Sequence, residues 1–360
     1  MQFVCPLNFR GRAFGGEGKR HTMLLDTPRT SNDLRRLLRP MRRKLPALAL
    51  AIFLVDALIY GSAVWLAMRT SGPAAWIWGA VAGVATAMLF VVGHDACHGS
   101  FTGSPVLNRW LGVLAFLPSL TPFRAWELGH NQTHHIYTNL KPLDQVWMPY
   151  SNREFDALPF WRRALERLYR SAPGLGLYYA VEIWWKQLFF ARKSSGGRMR
   201  RRDLYETLLC AAFALALSAA AYRHGWSAFA AGVVWPFALW NWLMGWAIFE
   251  HHTHPDVPWF DDPAAWRAAG AQVACTVHVV LPPFADAILH RIMHHTAHHL
   301  DVTVPLYGLA DAQRALERQP AAGIIVYRWT PFTFLRHLRI CKLYDFERRC
   351  WTGFDGVPRR

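Results

Sequence analysis

The sequence predicts an all-α integral membrane protein: four transmembrane helices in two hairpins, with a cytoplasmic helical cap that carries most of its histidines. Three observations lead there. Of 360 residues 52% are hydrophobic and 18 are tryptophan, an aromatic load more typical of a membrane chain than a soluble one. Apolar runs of spanning length occur as two closely spaced pairs, at about 45–68 and 74–93 and at about 207–222 and 226–249. The net charge of +16 is gathered in Arg/Lys blocks beside these runs, which fits membrane topology and not a nucleic-acid partner.

Taken in order, residues 1–44 read as a basic cytoplasmic segment, with 1–22 a poorly structured extension, Met23 an alternative start and no secretory signal pattern. Arg35, Arg36, Arg39, Arg42, Arg43 and Lys44 precede the first span. Gly72 and Pro73 form the turn to the second, which returns to the starting side. From Trp110 to Phe123 the apolar stretch is broken by Pro118 and Pro122 and is too short to cross, so an interfacial or re-entrant piece is expected. Arg124 to Glu206 is expected on the membrane surface, with an amphipathic stretch near Leu175–Phe190 and a basic cluster from Arg192 to Arg202. Cys275–Leu289 is apolar but interrupted by Pro282 and Pro283 and is not counted as a span. Residues 45–350 thus form the membrane domain and 351–360 a tail. An even number of crossings puts both ends and the central section on one side. The links on the other side have Arg69 and Arg223 as their only Lys or Arg, as the positive-inside rule expects. The six cysteines show no CxxC pair, which argues against a disulfide framework or a cysteine-held metal.

Thirteen of the 17 histidines fall in four clusters, HDACH at 94–98, HNQTHH at 130–135, HHTHP at 251–255 and HRIMHHTAHH at 290–299. Neutral imidazole is the commonest metal ligand. Helical neighbours three and four apart share a face, so His94 with His98, His295 with His298 and His299, and His290 with His294 could each point one way. His130, His134 and His135 offer three more ligands, and His251, His252 and His254 a further three. A single metal needs three or four protein ligands. The surplus favours two metals with open positions, suited to iron and oxygen, although imidazole also suits zinc, copper or nickel. Asp95, Asp144 and Asp301 are candidates to orient ligand rings, and Asp286 is weighed with them as a loop-capping group. His21, His224, His278 and His337 read as structural. Asp56, inside the first span, reads equally as functional or as facing a helix neighbour.

In order and spacing, HxxxH (His94, His98), HxxxHH (His130, His134, His135) and HxxHH (His295, His298, His299) resemble the three boxes of the membrane fatty acid desaturases, histidine-box di-iron enzymes. GHDACHGSF, HNQTHHIYTN with LDQVWMP, HHTHPDVPW and the late CKLYDFE are similar to the acyl-lipid, delta-12-type branch. The resemblance covers roughly residues 45–350. It implies two iron ions, O2 as co-substrate, and insertion of a cis double bond into an acyl chain carried on a lipid, on CoA or on a carrier protein. It also implies His252 and His290 as ligands outside the boxes, leaving His251, His254 and His294 unassigned. No flavin or nicotinamide motif is present, so a separate donor such as ferredoxin or cytochrome b5 is expected. The Arg192–Arg202 cluster would meet lipid headgroups or dock that donor. The expected location is a bacterial inner membrane, with the active site on the cytoplasmic side. The runner-up is a di-iron hydroxylase of acyl chains, alkanes or carotenoids. A metal transporter fits less well, because its ligands would sit mid-span.

Overall fold

The computed structural model describes residues 31–189 and 204–359; the 1–22 extension, Met23, Cys5, His21 and the Arg192–Arg202 cluster lie outside them. A short helix, α1 (Ser31–Leu37), precedes α2 (Pro46–Arg69), which is apolar all round and exposes Leu50, Leu54, Val55, Leu58 and Trp65. A helix hydrophobic on every face needs an apolar surround. Gly72, at φ +59°, turns the chain in a conformation side chains resist, and α3 (Gly72–Cys97) starts there with Pro73 in its first turn. That helix does not stop before the first histidine box but runs through it to Cys97.

The proline-broken stretch becomes α4 (Pro105–Phe116), capped by the Ser104 hydroxyl, then a single 3-10 turn and α5 (Phe123–Gly129). The amphipathic stretch forms helix from Leu175 to Phe189, widening to a π-helix at Tyr179. Two more long apolar helices follow, α6 (Leu204–Tyr222) and α7 (Trp226–His252), the latter with a π segment at Ala230–Val234. All four long helices, α2, α3, α6 and α7, have the length and hydropathy to cross a membrane.

The end of the chain departs from an all-helical expectation. β1 (Val277–Val280) pairs in parallel with β2 (Ile325–Arg328), and β3 (Leu343–Asp345) pairs antiparallel with β4 (Cys350–Thr352). Both ladders are too short for periodicity to reveal them. Between them lie α8 (Pro283–Ile288), α9 (His295–Leu300), α10 (Leu309–Glu317) and α11 (Pro331–Ile340).

Helix α3 is the pillar, packing against α2, α4 and α7. Its small residues allow close approach. A Cβ on Gly79 would lie 2.1 Å from the Ala231 carbonyl oxygen, and one on Gly93 would lie 2.3 Å from the Phe116 ring. Phe116 in turn stacks on Phe90 at 4.6 Å. The ends of α3 and α7 thereby sit together, and the second and third boxes close over them.

Candidate metal centre

Eight box histidines and His252 converge as two groups, each with one nitrogen per ring within 4.8 Å of the others: His94, His98, His130, His135 and His298; and His134, His252, His295 and His299. The boxes do not map one to one onto the groups. His94 and His98, four apart at the end of α3, face the same way as the helix dictates. Residues 130–134 form a π-helical turn, which brings positions five apart onto one face. His130 and His135 therefore meet in the first group while His134 turns to the second. The HxxHH box divides too: His295 and His299, four apart on α9, enter the second group, and His298 enters the first. The expectation that these three share one direction is corrected, because a hundred degrees of rotation per residue separates His298 from His299.

Seven of the nine are buried, with His98 and His130 partly covered. Burial, then the neighbouring imidazoles, hold His98, His130, His135, His295, His298 and His299 well below their ordinary pKa, so these rings are neutral at pH 7. The His94 and His130 Nε2 atoms lie 2.9 Å apart, those of His130 and His135 3.0 Å, and those of His135 and His298 3.2 Å. A neutral ring carries one proton, and no placement of single protons gives each of the three contacts a proton of its own aimed at a free lone pair. In the second group the Nε2 atoms of His252 and His295 are 3.0 Å apart. Buried nitrogens without a partner, on His98 (Nε2) and His299 (Nε2) among others, add to this. A shared cation resolves these lone-pair contacts, so the donor set fits bound metal.

Supporting groups fix the rings of the second group. Both Asp144 oxygens lie 3.1 Å from His134 Nδ1, and Asp144 also accepts from the Asn139 and Val146 amides. His252 Nδ1 is 3.1 Å from the Cys275 carbonyl. His299 Nδ1 is 3.2 Å from Gln272 Oε1 and 3.3 Å from Thr138 Oγ1. With Nδ1–H donating, Nε2 is left bare for a metal.

The other candidates have different partners. Asp95 accepts from the Leu306 amide at 2.5 Å and stands 3.8 Å from His94 Nδ1, beyond hydrogen-bond reach. Asp301 pairs with Arg42 at 2.6 Å and caps Thr303. His290 lies in neither group: at φ +49° it turns toward α2, and its Nε2 meets Asp56 Oδ2 at 2.6 Å. His294 faces Asp286 at 3.3 Å and His278 rather than sharing a direction with His290. His251 stacks on His295 at 3.7 Å, and His254 packs with His337 and Tyr327.

Sequence reasoning passed over Gln272, Thr138, Asn139 and Cys275. Asn139, at φ +57°, carried the one usable signal, since asparagine tolerates that conformation. Its side chain bonds the Pro258 carbonyl at 3.0 Å and so ties the second box to the segment after His252. The supporting carbonyl of Cys275 has no side-chain signature at all.

The fatty acid desaturase family model matches residues 70–331 of this chain, a stretch that takes in every member of both groups. The chain belongs to the fatty acid desaturase family. Among curated proteins it is 32% identical over 297 residues to the sn-1 oleoyl-lipid 12-desaturase of Synechocystis sp., covering 76% of each chain. It is 30% identical over 246 residues to the protein of that name from Arthrospira platensis, covering 66% of each. It is 28% identical over 285 residues to the chloroplastic omega-6 fatty acid desaturase of Brassica napus, covering 79% of this chain and 62% of that one. The matched region is about two thirds of the length of the Arthrospira platensis relative and less than two thirds of that of the Brassica napus one.

Proposed function

We propose that this chain is an O2-dependent fatty acyl desaturase of delta-12 (omega-6) type that puts a cis double bond into a lipid-linked acyl chain. The observation that carries this reading is the division of nine imidazoles into two groups, which suits two iron ions. Bound iron would supply the redox chemistry that oxidises an unactivated methylene pair with O2. The names of the relatives support an oleoyl-type substrate and the twelfth position.

The chain's own residues hold and orient. Asp144, the Cys275 carbonyl and Gln272 fix the His134, His252 and His299 rings so that each offers Nε2. His290 serves as a partner of Asp56, tying the third box to α2, and is not a tenth ligand. Helices α2, α3, α6 and α7 would cross the membrane as two hairpins within a domain spanning 45–350, with the boxes in a cap on the cytoplasmic face of a bacterial inner membrane. Over a turnover two hydrogens leave adjacent carbons, and O2 is reduced to two waters with two further electrons and two protons. Those electrons require a separate one-electron carrier such as a ferredoxin or cytochrome b5.

The test is a fatty acid methyl ester profile of a host lacking polyunsaturated lipids, with the chain expressed beside a ferredoxin system. A new dienoic acid, lost in His298→Ala, is the expected result and gives the position. A hydroxylated acid would transfer the chain to acyl hydroxylation.

A further inference from the structure

The parallel pair β1–β2 delivers two similar peptides to one edge of the molecule. The register runs from Val277↔Ile325 to Val280↔Arg328, and the Trp329 amide extends it to the Val280 carbonyl at 3.0 Å. Both chains then meet proline, which cannot donate to a ladder and starts a helix instead. Pro282-Pro283-Phe284 opens α8, and Thr330-Pro331-Phe332 opens α11. Phe284 is 71% exposed and Phe332 75%, with Ile288 and Leu335 beside them also exposed. Single exposed apolar residues are ordinary, but four large ones on one edge need an occupant.

The depth of this edge identifies the occupant. His290, just beyond α8, is hydrogen-bonded to Asp56, which lies about ten residues and so roughly 15 Å into α2. Trp329, just before α11, packs on Trp246 of α7 with ring centroids 6.0 Å apart, roughly 9 Å short of that helix's end. The edge therefore stands beside two membrane-length helices, at a depth along α2 where that helix exposes Leu54 and Leu58 on its opposite face. Along α11 the outward residues are Phe332, Leu335, Arg336 and Arg339, one helical stripe that changes from apolar to basic as the helix leaves this edge. That is the order met on passing from acyl chains to anionic headgroups.

We propose that α8 and the start of α11 form a wedge inserted into the bilayer, with Phe284, Ile288, Phe332 and Leu335 among lipid acyl chains and Arg336 and Arg339 at the headgroups. The inference rests on α2 and α7 crossing the membrane as read above. The wedge abuts the segment that leads into α9, so it anchors the third histidine box to the lipid that surrounds the substrate.

The test is nitroxide accessibility in lipid nanodiscs with the full chain, labelled singly at Phe284→Cys and Phe332→Cys. Leu58→Cys on α2 is the hydrocarbon reference and Arg348→Cys the aqueous one; label on the unsubstituted chain's own cysteines is subtracted. At both wedge positions, collisions with O2 are expected to exceed those with a water-soluble nickel chelate several-fold, as at Leu58. Nickel-dominated collisions there, with Leu58 still oxygen-dominated, would overturn the wedge and leave the crossing helices standing. Protection from both reagents would overturn it in favour of a second chain seated on this face. Nickel-dominated collisions at Leu58 itself would overturn the crossing reading and the wedge with it.

Discussion

Histidine at neutral pH gives up or accepts a proton easily, yet His135 and His298 are held neutral by burial and by the neighbouring imidazoles, which leaves their lone pairs for a metal. His98→Ala, His134→Ala and His298→Ala are each expected to abolish turnover while the chain still inserts. Iron per chain, by mass spectrometry of the purified protein, should fall with the group that loses its member. Asp144→Asn keeps the shape but removes the charge facing His134 Nδ1, and a loss of about 10- to 100-fold in iron affinity or activity is expected. His290→Asn separates support from ligation. Paired with Asp56 and outside both groups, it should keep its full iron content, and a drop in iron would make it a ligand after all. The histidines themselves were legible in the sequence by type and spacing. The division of the second box between two groups was not, because it depends on a π turn that has no compositional mark.

At the scale of elements, close helix contacts position the centre. A Cβ on Gly245 would sit 2.2 Å from the Leu175 carbonyl oxygen, so α7 and the surface helix could not keep their approach. Gly245→Ala is expected to destabilise by about 1–3 kcal/mol, the usual range for overpacking, seen as a lower unfolding temperature in detergent. Gly61→Ala on α2, where a Cβ meets nothing within 4 Å, should be neutral or slightly stabilising, since alanine is the better helix former. The long helices were readable from hydropathy, with starts and ends shifted by a few residues: α3 reaches Cys97 and α7 reaches His252. The strands were not, for β1 and β2 pair across a long sequence separation with only four residues each. Cys275–Leu289 was rightly not counted as a span, and it divides between a buried strand and a Pro-Phe helix turned outward.

For the whole molecule, the packing of imidazoles against one another makes acid the natural denaturant. Burial brings His254 from an ordinary 6.5 to about 4, and His337 to about 3, with Arg336 adding to both. Above pH 6.5 neither the folded nor the unfolded form binds these protons, so stability is flat. Below it the unfolded chain takes them up and the folded chain does not. Stability therefore falls from about pH 6.5 toward 4, at roughly 1.4 kcal/mol per pH unit for each such imidazole. Thermal unfolding of the detergent-solubilised protein across that range should show the decline, and His254→Gln should flatten part of it.

The sequence by itself determined which residues could hold metal, the four helices long enough to cross a membrane and, through the box spacing, the family. Those properties are local, since they depend on residue type and on distances along a single helix. Only the tertiary structure decided which imidazole joins which group, which of them meet Asp144 and the Cys275 carbonyl, and that His290 meets Asp56. It also decided that the strands leading into two distant Pro-Phe peptides pair side by side. These depend on the meeting of segments far apart in the chain, where backbone carbonyls and left-handed turns matter as much as side chains and leave no pattern in the residue types.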